Sequence, residues 1–230
     1  MDLKAENISK RYFRKTGGAN YFYAVQPVSL TLPSGAVTVL TGRSGSGKTT
    51  LLHMLAGLLT PTEGKVLLGD TDLYALSDVA LSRLRNEKTG VVPQGRSAVD
   101  TLTVRENIVL PALLYGRPAP AEAAAQWMER LDIAQLADAY PAQLSGGELR
   151  RMAIARALAQ EPEIIFADEP TGDLDDENTA AVLSALQAAA RQGKAVFLVT
   201  HEAEALRYAD RAFRMDGGAL REISLSDGHL

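Results

Sequence analysis

Residues 42–50 of this 230-residue chain read GRSGSGKTT, a run of residue types suited to holding phosphate groups. The glycines let successive backbone N–H groups turn inward without Cβ clashes, which makes an anion-binding nest. One apolar run, AVTVL, precedes this segment and another, LLHMLAGLL, follows it. A strand, a glycine turn and a helix in this order match the P-loop consensus, and the helix N-terminus adds its dipole. The segment therefore predicts a site for a nucleoside triphosphate.

Every residue of this loop is a candidate for nucleotide binding. The set is Gly42, Arg43, Ser44, Gly45, Ser46, Gly47, Lys48, Thr49 and Thr50. Lys48 brings a positive charge for the outer phosphates, and the Thr49 hydroxyl can ligate Mg²⁺. We therefore expect Mg²⁺ to accompany the nucleotide.

Two adjacent acids, Asp168 and Glu169, end the apolar run IIFADE. A P-loop site needs a second carboxylate directed at Mg²⁺ from the end of a neighbouring strand, and Asp168 has that position. Because side chains alternate along a strand, we expect the two carboxylates to point in different directions. Asp168 would then face the metal, while Glu169 reaches toward the γ-phosphate and polarises a water molecule.

The stretch LSGGE at residues 144–148 precedes a basic amphipathic run, LRRMAIARAL. A serine and two glycines at a helix N-terminus can form a second anion-binding cap, or simply a plain N-cap. A second phosphate site in a chain with one P-loop makes sense if it serves the nucleotide of another copy. The candidates are Ser145, Gly146, Gly147 and Glu148.

Composition excludes several other classes of chemistry, although hydrophobic residues (46%) and charged residues (23%) are those of an ordinary globular protein. The absence of cysteine excludes disulfides, thiolate metal sites and cysteine nucleophiles. The net charge of −4 comes without a basic stripe, so we expect no nucleic-acid partner. The start lacks a signal peptide's apolar core, and no apolar run approaches the roughly 18–20 residues of a membrane span. We therefore expect a cytoplasmic protein that reaches a membrane only through a partner.

Apolar runs of strand length alternate with helical periodicities through most of the chain. Strand patterns occur at residues 3–8, 28–32, 36–40, 65–68, 90–93, 163–167 and 195–200, with two more at the end. Helical patterns follow the P-loop and occupy residues 78–88, 175–191 and 202–208. Non-alternating strands separated by helices predict a parallel sheet covered on both faces. Residues 14–24, RKTGGANYFYA, predict a polar hairpin loop.

Residues 103–159 differ from the rest because they are rich in alanine and leucine with helical periodicity. Proline and glycine predict breaks at Pro111, at residues 116–118, at Pro141 and at residues 145–147. The stretch therefore predicts a helical insertion or subdomain.

The order and spacing of these motifs resemble the ATP-binding subunit of ABC transporters over essentially the whole chain. The motifs are GRSGSGKTT, Gln94, LSGGE, IIFADE, the run DLD at residues 173–175 and His201. LSGGE between a P-loop and a strand that ends in Asp-Glu is a highly specific combination. The resemblance implies ATP with Mg²⁺, and a head-to-tail dimer in which each ATP lies between one P-loop and the other copy's LSGGE.

A fold and a membrane partner are also implied by the resemblance. The fold is an α/β P-loop NTPase core with a mostly parallel sheet, an antiparallel β subdomain and an α-helical subdomain. In a single domain, 1–230, the core would take residues 1–94 and 158–230, and the helical subdomain residues 95–157. Besides its second copy, the chain would bind an integral membrane permease subunit at the inner face of the cell membrane.

The resemblance implies a catalytic role for four residues, one of which is Lys48 of the P-loop. Glu169 resembles the general base, Asp168 the Mg²⁺-side carboxylate, and His201 the histidine that contacts the γ-phosphate. Gln94 resembles the glutamine that touches Mg²⁺ and the attacking water while its loop faces the membrane partner.

The adenine end of the site has several candidates. Tyr12 resembles the aromatic residue that stacks on adenine, and the run Tyr21, Phe22 and Tyr23 offers rivals for that role. Asp175, which follows the acid pair, joins the expected nucleotide-site residues at the dimer interface.

A subtype is suggested by ENISKRY, by TVRENIVLP at residues 103–111 and by TGDLD at residues 171–175. These runs resemble the lipoprotein-releasing and macrolide-exporter type of ATP-binding subunit. Asp173 departs from that pattern, because the family often has Asn there. Residues 95–100, GRSAVD, are more polar than usual, and this segment should face the membrane partner.

Three other functions share part of this pattern. A small-molecule P-loop kinase has no use for LSGGE and would need a phosphate acceptor. A chromosome-maintenance or DNA-repair ATPase would carry long coiled coils between the P-loop and LSGGE, and no sustained heptads occur there. A cell-division or signalling subunit that moves a membrane protein without transport fits the sequence equally well.

Overall fold

A computed structural model describes residues 1–13, 21–172 and 174–225 of the chain, with ten strands and six α-helices in them. The strands are β1 (Leu3–Phe13), β2 (Tyr21–Leu32), β3 (Val37–Thr41), β4 (Glu63–Leu68), β5 (Thr71–Asp72), β6 (Thr89–Val92), β7 (Ile164–Asp168), β8 (Ala195–Thr200), β9 (Arg211–Asp216) and β10 (Ala219–Ile223). The helices are α1 (Lys48–Leu55), α2 (Asp78–Lys88), α3 (Val104–Leu114), α4 (Ala121–Arg130), α5 (Gly146–Ala159) and α6 (Asp176–Arg191).

Six strands form the central sheet, in the order β10-β9-β3-β8-β7-β6. All neighbours from β9 to β6 pair in parallel, and β10 alone in this sheet pairs antiparallel. The carboxyl ends of β3, β7 and β8 therefore meet at one edge, which is where α/β proteins place their ligands. The mostly parallel sheet expected from the sequence is confirmed.

Both faces of this sheet are covered by other elements. Because side chains alternate along a strand, neighbouring residues of one strand enter two different cores. In β3, Val37 and Val39 join the core formed with α3 to α6, whereas Leu40 joins the core on the opposite face. In β7, Ile165 and Phe166 divide in the same way. The second core is closed by α1 and by a separate sheet.

That separate sheet is antiparallel, with strand order β2-β1-β4-β5. Its first hairpin is longer than the sequence patterns predict, since β1 continues to Phe13 and β2 begins at Tyr21. The prediction that 21–24 belong to a polar loop is wrong. Tyr12 pairs with Phe22, and Phe13 with Tyr21, because aromatic side chains stabilise strands through cross-strand contacts. Residues 14–20 of the predicted loop lie outside the described part of the chain.

The helical stretch contains α3, α4 and α5, and the predicted break at Pro111 is wrong. Pro111 lies inside α3, which continues to Leu114. A proline costs the helix one hydrogen bond, and here burial of Ile108, Val109 and Ala112 offsets that loss. Breaks do occur after Leu114 and before Gly146, as predicted.

Candidate active site

A cleft of about 1070 Å³ opens at the carboxyl edge of the central sheet. It brings together Tyr12, residues 43–50, Gln94, Glu169 and His201, which the sequence places in five separate segments. Within the described part of the chain, Ser145, Gly146, Gly147, Glu148 and Asp175 do not line it. The predicted site residues therefore fall into two groups on this one chain.

Glycines shape the P-loop for steric reasons that differ by position. Gly47 has φ +106°, and a Cβ built there would lie 2.1 Å from the backbone oxygen of Ala24. At Gly42, a Cβ would lie 2.4 Å from the backbone oxygen of Met215. Gly45 has open space around it, but its φ of +77° is costly for any L side chain. The loop is thus wedged between β2 and the end of β9.

Replacement of Gly47 by alanine tests this wedge. Because the clash is with backbone, Gly47→Ala must shift the loop, and we expect nucleotide affinity to fall by more than roughly tenfold. Calorimetric titration with ATP measures this affinity. The control is Gly193→Ala, which has φ +90° but no atom within 4 Å of its Cβ. It should cost about 1–2 kcal/mol of stability and leave ATP affinity unchanged. Wild-type affinity for ATP in Gly47→Ala would contradict the close contact between Gly47 and the Ala24 backbone.

Lys48 is buried at the start of α1 and is held by its own loop. Its Nζ donates to the carbonyl oxygens of Gly42 at 2.8 Å and Arg43 at 3.2 Å. The nearest carboxylate oxygen, Oε1 of Glu169, is 4.0 Å away. The ammonium is therefore oriented by carbonyls without being neutralised in a close ion pair, which suits it to phosphate binding.

Asp168 and Thr49 form the candidate metal position. Asp168 is buried at the end of β7, its carboxylate accepts a hydrogen bond from the Thr49 side chain, and its Oδ1 has no partner among the described residues. Burial raises the pKa of the Asp168 carboxyl, and the Thr49 bond opposes this rise. An orphaned carboxylate oxygen beside a hydroxyl fits a hard cation such as Mg²⁺, whose charge would favour the ionised carboxylate.

Glu169 directly follows β7 and leaves the strand conformation. Its φ is +47°, an uncommon value for a non-glycine residue, while its N–H still donates to the Val199 oxygen at 2.8 Å. The two carboxylates therefore contact different P-loop residues: Asp168 bonds to the Thr49 side chain, and Oε1 of Glu169 lies 4.0 Å from the Lys48 Nζ. Oε2 of Glu169 lies 2.9 Å from Nδ1 of His201, which itself follows β8. Glu169 and His201 thus form a pair at the mouth of the cleft.

The LSGGE residues begin α5 with a capping box. The Ser145 hydroxyl accepts from the Glu148 N–H at 3.3 Å, and Oε2 of Glu148 accepts from the Ser145 N–H at 2.7 Å. The bonds that the Glu148 carboxylate accepts from the Ser145 N–H and hydroxyl lower the pKa of Glu148. Asp175 caps α6 similarly by accepting from the Asn178 N–H at 2.8 Å, which lowers its pKa. In one chain these groups serve as N-caps.

Similarity to known proteins decides the family. A family model described as ABC transporter matches residues 25–172. The chain belongs to the ABC transporter family. This ABC ATPase is similar to the bacterial ABC transporter cassette MJ0796 in a dimeric structure, at 34% identity and TM-score 0.88 over 97% of this chain and 98% of that one.

Two further structures agree with the fold. MJ0796 in a dimeric post-hydrolysis state bound to ADP and Pi has 33% identity and TM-score 0.87, over 97% of this chain and 98% of that one. A nucleotide-free ATP-binding cassette from an ABC transporter has 26% identity and TM-score 0.80, over 97% and 92% of the two chains. The ABC ATPase fold expected from the sequence, with its P-loop core, antiparallel sheet and helices, is confirmed.

Aromatic residues line one end of the ABC ATPase cleft. Tyr12 and Phe22 lie there with their ring centroids 5.8 Å apart, and Tyr23 is also part of the wall. Tyr21 instead packs edge-on against Phe13, with centroids 5.5 Å apart, and is not in the wall. The pairing of β1 with β2 therefore decides which aromatic residues face the cleft: Tyr12, Phe22 and Tyr23 do, and Tyr21 does not.

Several wall residues of the ABC ATPase were not predicted. Arg150 lies on α5, two residues after LSGGE, and donates to the oxygen of Pro93, the residue before Gln94, at 2.9 Å. Glu202 follows His201 and accepts a hydrogen bond from the buried Thr171 hydroxyl. The signals in the sequence were the first arginine of LRRMAI and an acid beside the histidine, and both patterns are too common to single out.

The turn between β9 and β10 also belongs to the wall. Gly218 donates its N–H to the Ser46 oxygen at 3.0 Å, and Gly217 accepts from the Gln26 side chain at 3.1 Å. The Gly-Gly pair marked a turn in the sequence, but nothing local connected it to the P-loop. Asp173, which departs from the family pattern, lies outside the described residues.

Proposed function

We propose that this chain is the ATPase subunit of an ABC transport complex and that two copies close head to tail on two ATP molecules. The observation that carries this proposal is the division of the site. One cleft holds the P-loop, Glu169 and His201, while the LSGGE residues lie outside it. A second copy would supply them. The dimeric relatives, one of them bound to ADP and Pi, support this arrangement.

Within each closed site, we assign the chemistry to residues at the cleft mouth. Glu169 acts as general base toward a water molecule, and His201 contacts the γ-phosphate and holds the Glu169 carboxylate through the 2.9 Å contact. Lys48 balances charge on the outer phosphates. Gln94 orients the water from the opposite wall. Tyr12 provides the adenine platform, with Phe22 widening it.

Mg²⁺ is assigned to Thr49, Asp168 and Gln94. The bound ion would neutralise charge that develops on the β- and γ-phosphate oxygens. Asp168 holds its position through burial and through the Thr49 hydrogen bond. Since few protein ligands are offered, the remaining ligands would be phosphate oxygens and water, as Mg²⁺ prefers.

A membrane partner is proposed for the surface between α2 and α3. No helix in the described ranges is long and apolar enough to span a bilayer. A groove of about 210 Å³ lies there, and Leu58 and Tyr115 on its wall are exposed, as are Leu113 and Leu114 just before Tyr115. Exposed apolar groups of this kind mark protein contact sites. We propose residues 95–157 as the helical subdomain that receives the permease at the inner membrane face.

The subtype remains a proposal as well. The runs named above favour an exporter-like subunit of the lipoprotein-releasing or macrolide type. The permease, not this chain, would bind the transported molecule. The same ATPase could therefore also drive a membrane partner that transports nothing and acts in cell division or signalling.

The proposed function is tested with the purified chain and its permease. We expect Mg²⁺-dependent ATP hydrolysis, an ATP-dependent shift from monomer to dimer in light scattering, and copurification of a multi-span membrane protein from detergent extracts. Reconstitution of that protein in lipid should change the ATPase rate. Hydrolysis that needs a small-molecule phosphate acceptor would overturn the proposal.

Arg96 offers a prediction about that partner. Its guanidinium pairs with the Asp100 carboxylate at 2.6 Å, and both side chains are exposed, so the segment's charges are balanced in the free chain. Arg96→Glu places two acids together there. We expect nearly unchanged basal ATPase, because Arg96 does not line the nucleotide cleft, but weaker stimulation by the permease.

The measurement is the ATPase rate with and without the permease in lipid. Arg191→Glu is the matched control, since Arg191 is an exposed arginine bonded four residues away, to Gln187, at the far end of α6. A stimulation ratio equal to that of the wild type in Arg96→Glu would show that residues 95–100 form an ordinary solvated loop.

A further inference from the structure

A second cavity, of about 630 Å³, shares Arg43 and His201 with the nucleotide cleft. It lies between the start of the P-loop and the end of β9. Its other charged wall residues are Arg214 and Asp216. We call this the basic recess, because its arginines outnumber its one acid.

Both arginines of the basic recess are free in the described part of the chain. Arg43 and Arg214 are exposed, and neither guanidinium has a hydrogen bond or ion pair with another described residue. Arginine forks recognise carboxylates in bidentate geometry and are weakly hydrated, which makes them common partners at interfaces. The basic recess is therefore suited to an acidic protein surface.

An acidic surface occurs at the first turn of α6, formed by Asp175, Asp176 and Glu177. All three are exposed. Asp175 is engaged in capping, but Asp176 and Glu177 have no side-chain partner among the described residues. We call this set the acidic turn.

The acidic turn lies beside LSGGE in the same chain. A Cβ built on Gly147 would lie 3.5 Å from the Leu174 side chain and 3.6 Å from the Asn178 side chain. Leu174 and Asn178 flank the acidic turn on both sides. A surface that contacts Gly147 therefore lies close to the acidic turn as well.

Two-fold symmetry indicates which side of the P-loop the acidic turn reaches. Gly172 lines the chain's own cleft together with Glu169 and His201, and the chain runs from there to its acidic turn. In the proposed dimer the second copy's LSGGE faces this cleft, so the acidic turn beside that LSGGE also comes to the rim of the cleft. The basic recess opens on this side, since His201 belongs to it as well.

We propose that the basic recess of each copy binds the acidic turn of a second copy of this chain when the dimer closes. This inference rests on the proposed head-to-tail dimer and adds to it an ionic contact outside the nucleotide. Arg43 pairs with Asp176 or Glu177, and Arg214 extends the same positive surface. Paired opposite charges favour self-association over association with cassettes that lack them. Closure should accordingly weaken as salt rises.

The test reverses each side of the contact in a Glu169→Gln background, so that ATP is not consumed. Asp176→Lys with Glu177→Lys should raise the dimer dissociation constant about tenfold, measured with ATP by analytical ultracentrifugation. Arg43→Glu should do the same at saturating ATP, which is needed because Arg43 also lines the nucleotide cleft and an acid there weakens ATP binding. In a mixed dimer of these two variants, one of the two contacts joins both reversed surfaces and so regains opposite charges. Combining all three changes in one chain reverses both contacts completely and should restore the wild-type constant.

Glu122→Lys is the matched control, because Glu122 is the acid in the first turn of α4. Its charge reversal carries the helix-dipole cost of one first-turn acid, away from the proposed contact, and should leave the dimer dissociation constant unchanged. Failure of the combined variant to recover, with ATP affinity intact, would overturn the ionic contact. A background chain that forms no ATP-dependent dimer at all would instead overturn the proposed function.

Discussion

Glu169→Gln should lower the ATP hydrolysis rate by about 10²–10⁴-fold, the usual contribution of a general base. Glutamine has the size of glutamate and keeps an oxygen acceptor for Nδ1 of His201, but it cannot take a proton from water. The Lys48 ammonium and the Thr49–Asp168 pair are untouched, so ATP should still bind. The variant should therefore accumulate as an ATP-bound dimer, which size-exclusion chromatography detects.

Glu161 provides a control matched in two respects. It is also a glutamate with a left-handed backbone, at φ +52°, and it lies before β7 rather than after it. Glu161→Gln should hydrolyse ATP at the wild-type rate. Wild-type hydrolysis by Glu169→Gln would show that Glu169 is not the base, whatever the geometry of its contact with His201.

Two inactive variants should regain activity when mixed. Ser145→Arg blocks the other copy's nucleotide from reaching α5, and Lys48→Ala removes the ammonium from the P-loop, so each homodimer should be nearly inactive. In a mixed dimer, one site carries both defects and the other carries neither. Random pairing makes half the dimers mixed, so up to roughly a quarter of the wild-type rate should return.

Loss of an N-cap accompanies Ser145→Arg and needs its own control. Ser77 caps α2 by accepting from the Ala80 N–H at 3.3 Å, and Ser77→Arg loses a comparable cap away from the cleft. Each change should cost about 0.5–2 kcal/mol of stability, and only Ser145→Arg should abolish hydrolysis. Verified mixed dimers without any activity would contradict a site shared between copies.

Local sequence patterns were enough to predict the helices and strands whose bounds depend little on long-range contacts. Helix α2 and strand β8 begin and end as the sequence patterns predict. Ser77 caps α2, and β8 is a continuous apolar run between polar residues. The P-loop was equally clear, because its glycines, lysine and threonine are adjacent in the chain.

Predictions failed where distant contacts override local preference. Pro111 remains helical because three neighbours are buried against other helices. Tyr21 enters a strand because Phe13 pairs with it. Arg150, Glu202 and the Gly217–Gly218 turn reach the cleft from segments that carry no local sign of it.

The strand order also has a consequence for how the chain is made. β3, which delivers the P-loop, pairs with β8 on one side and β9 on the other, and both follow it by more than 150 residues. The turn after β9 then supports Ser46 from behind. During synthesis from the N-terminus, the P-loop strand has neither neighbour until β8 and β9 have been made. The first motif in the sequence is therefore among the last to gain its neighbours in space, since a partial chain that ends before β9 lacks both a strand beside β3 and the turn that bonds to Ser46.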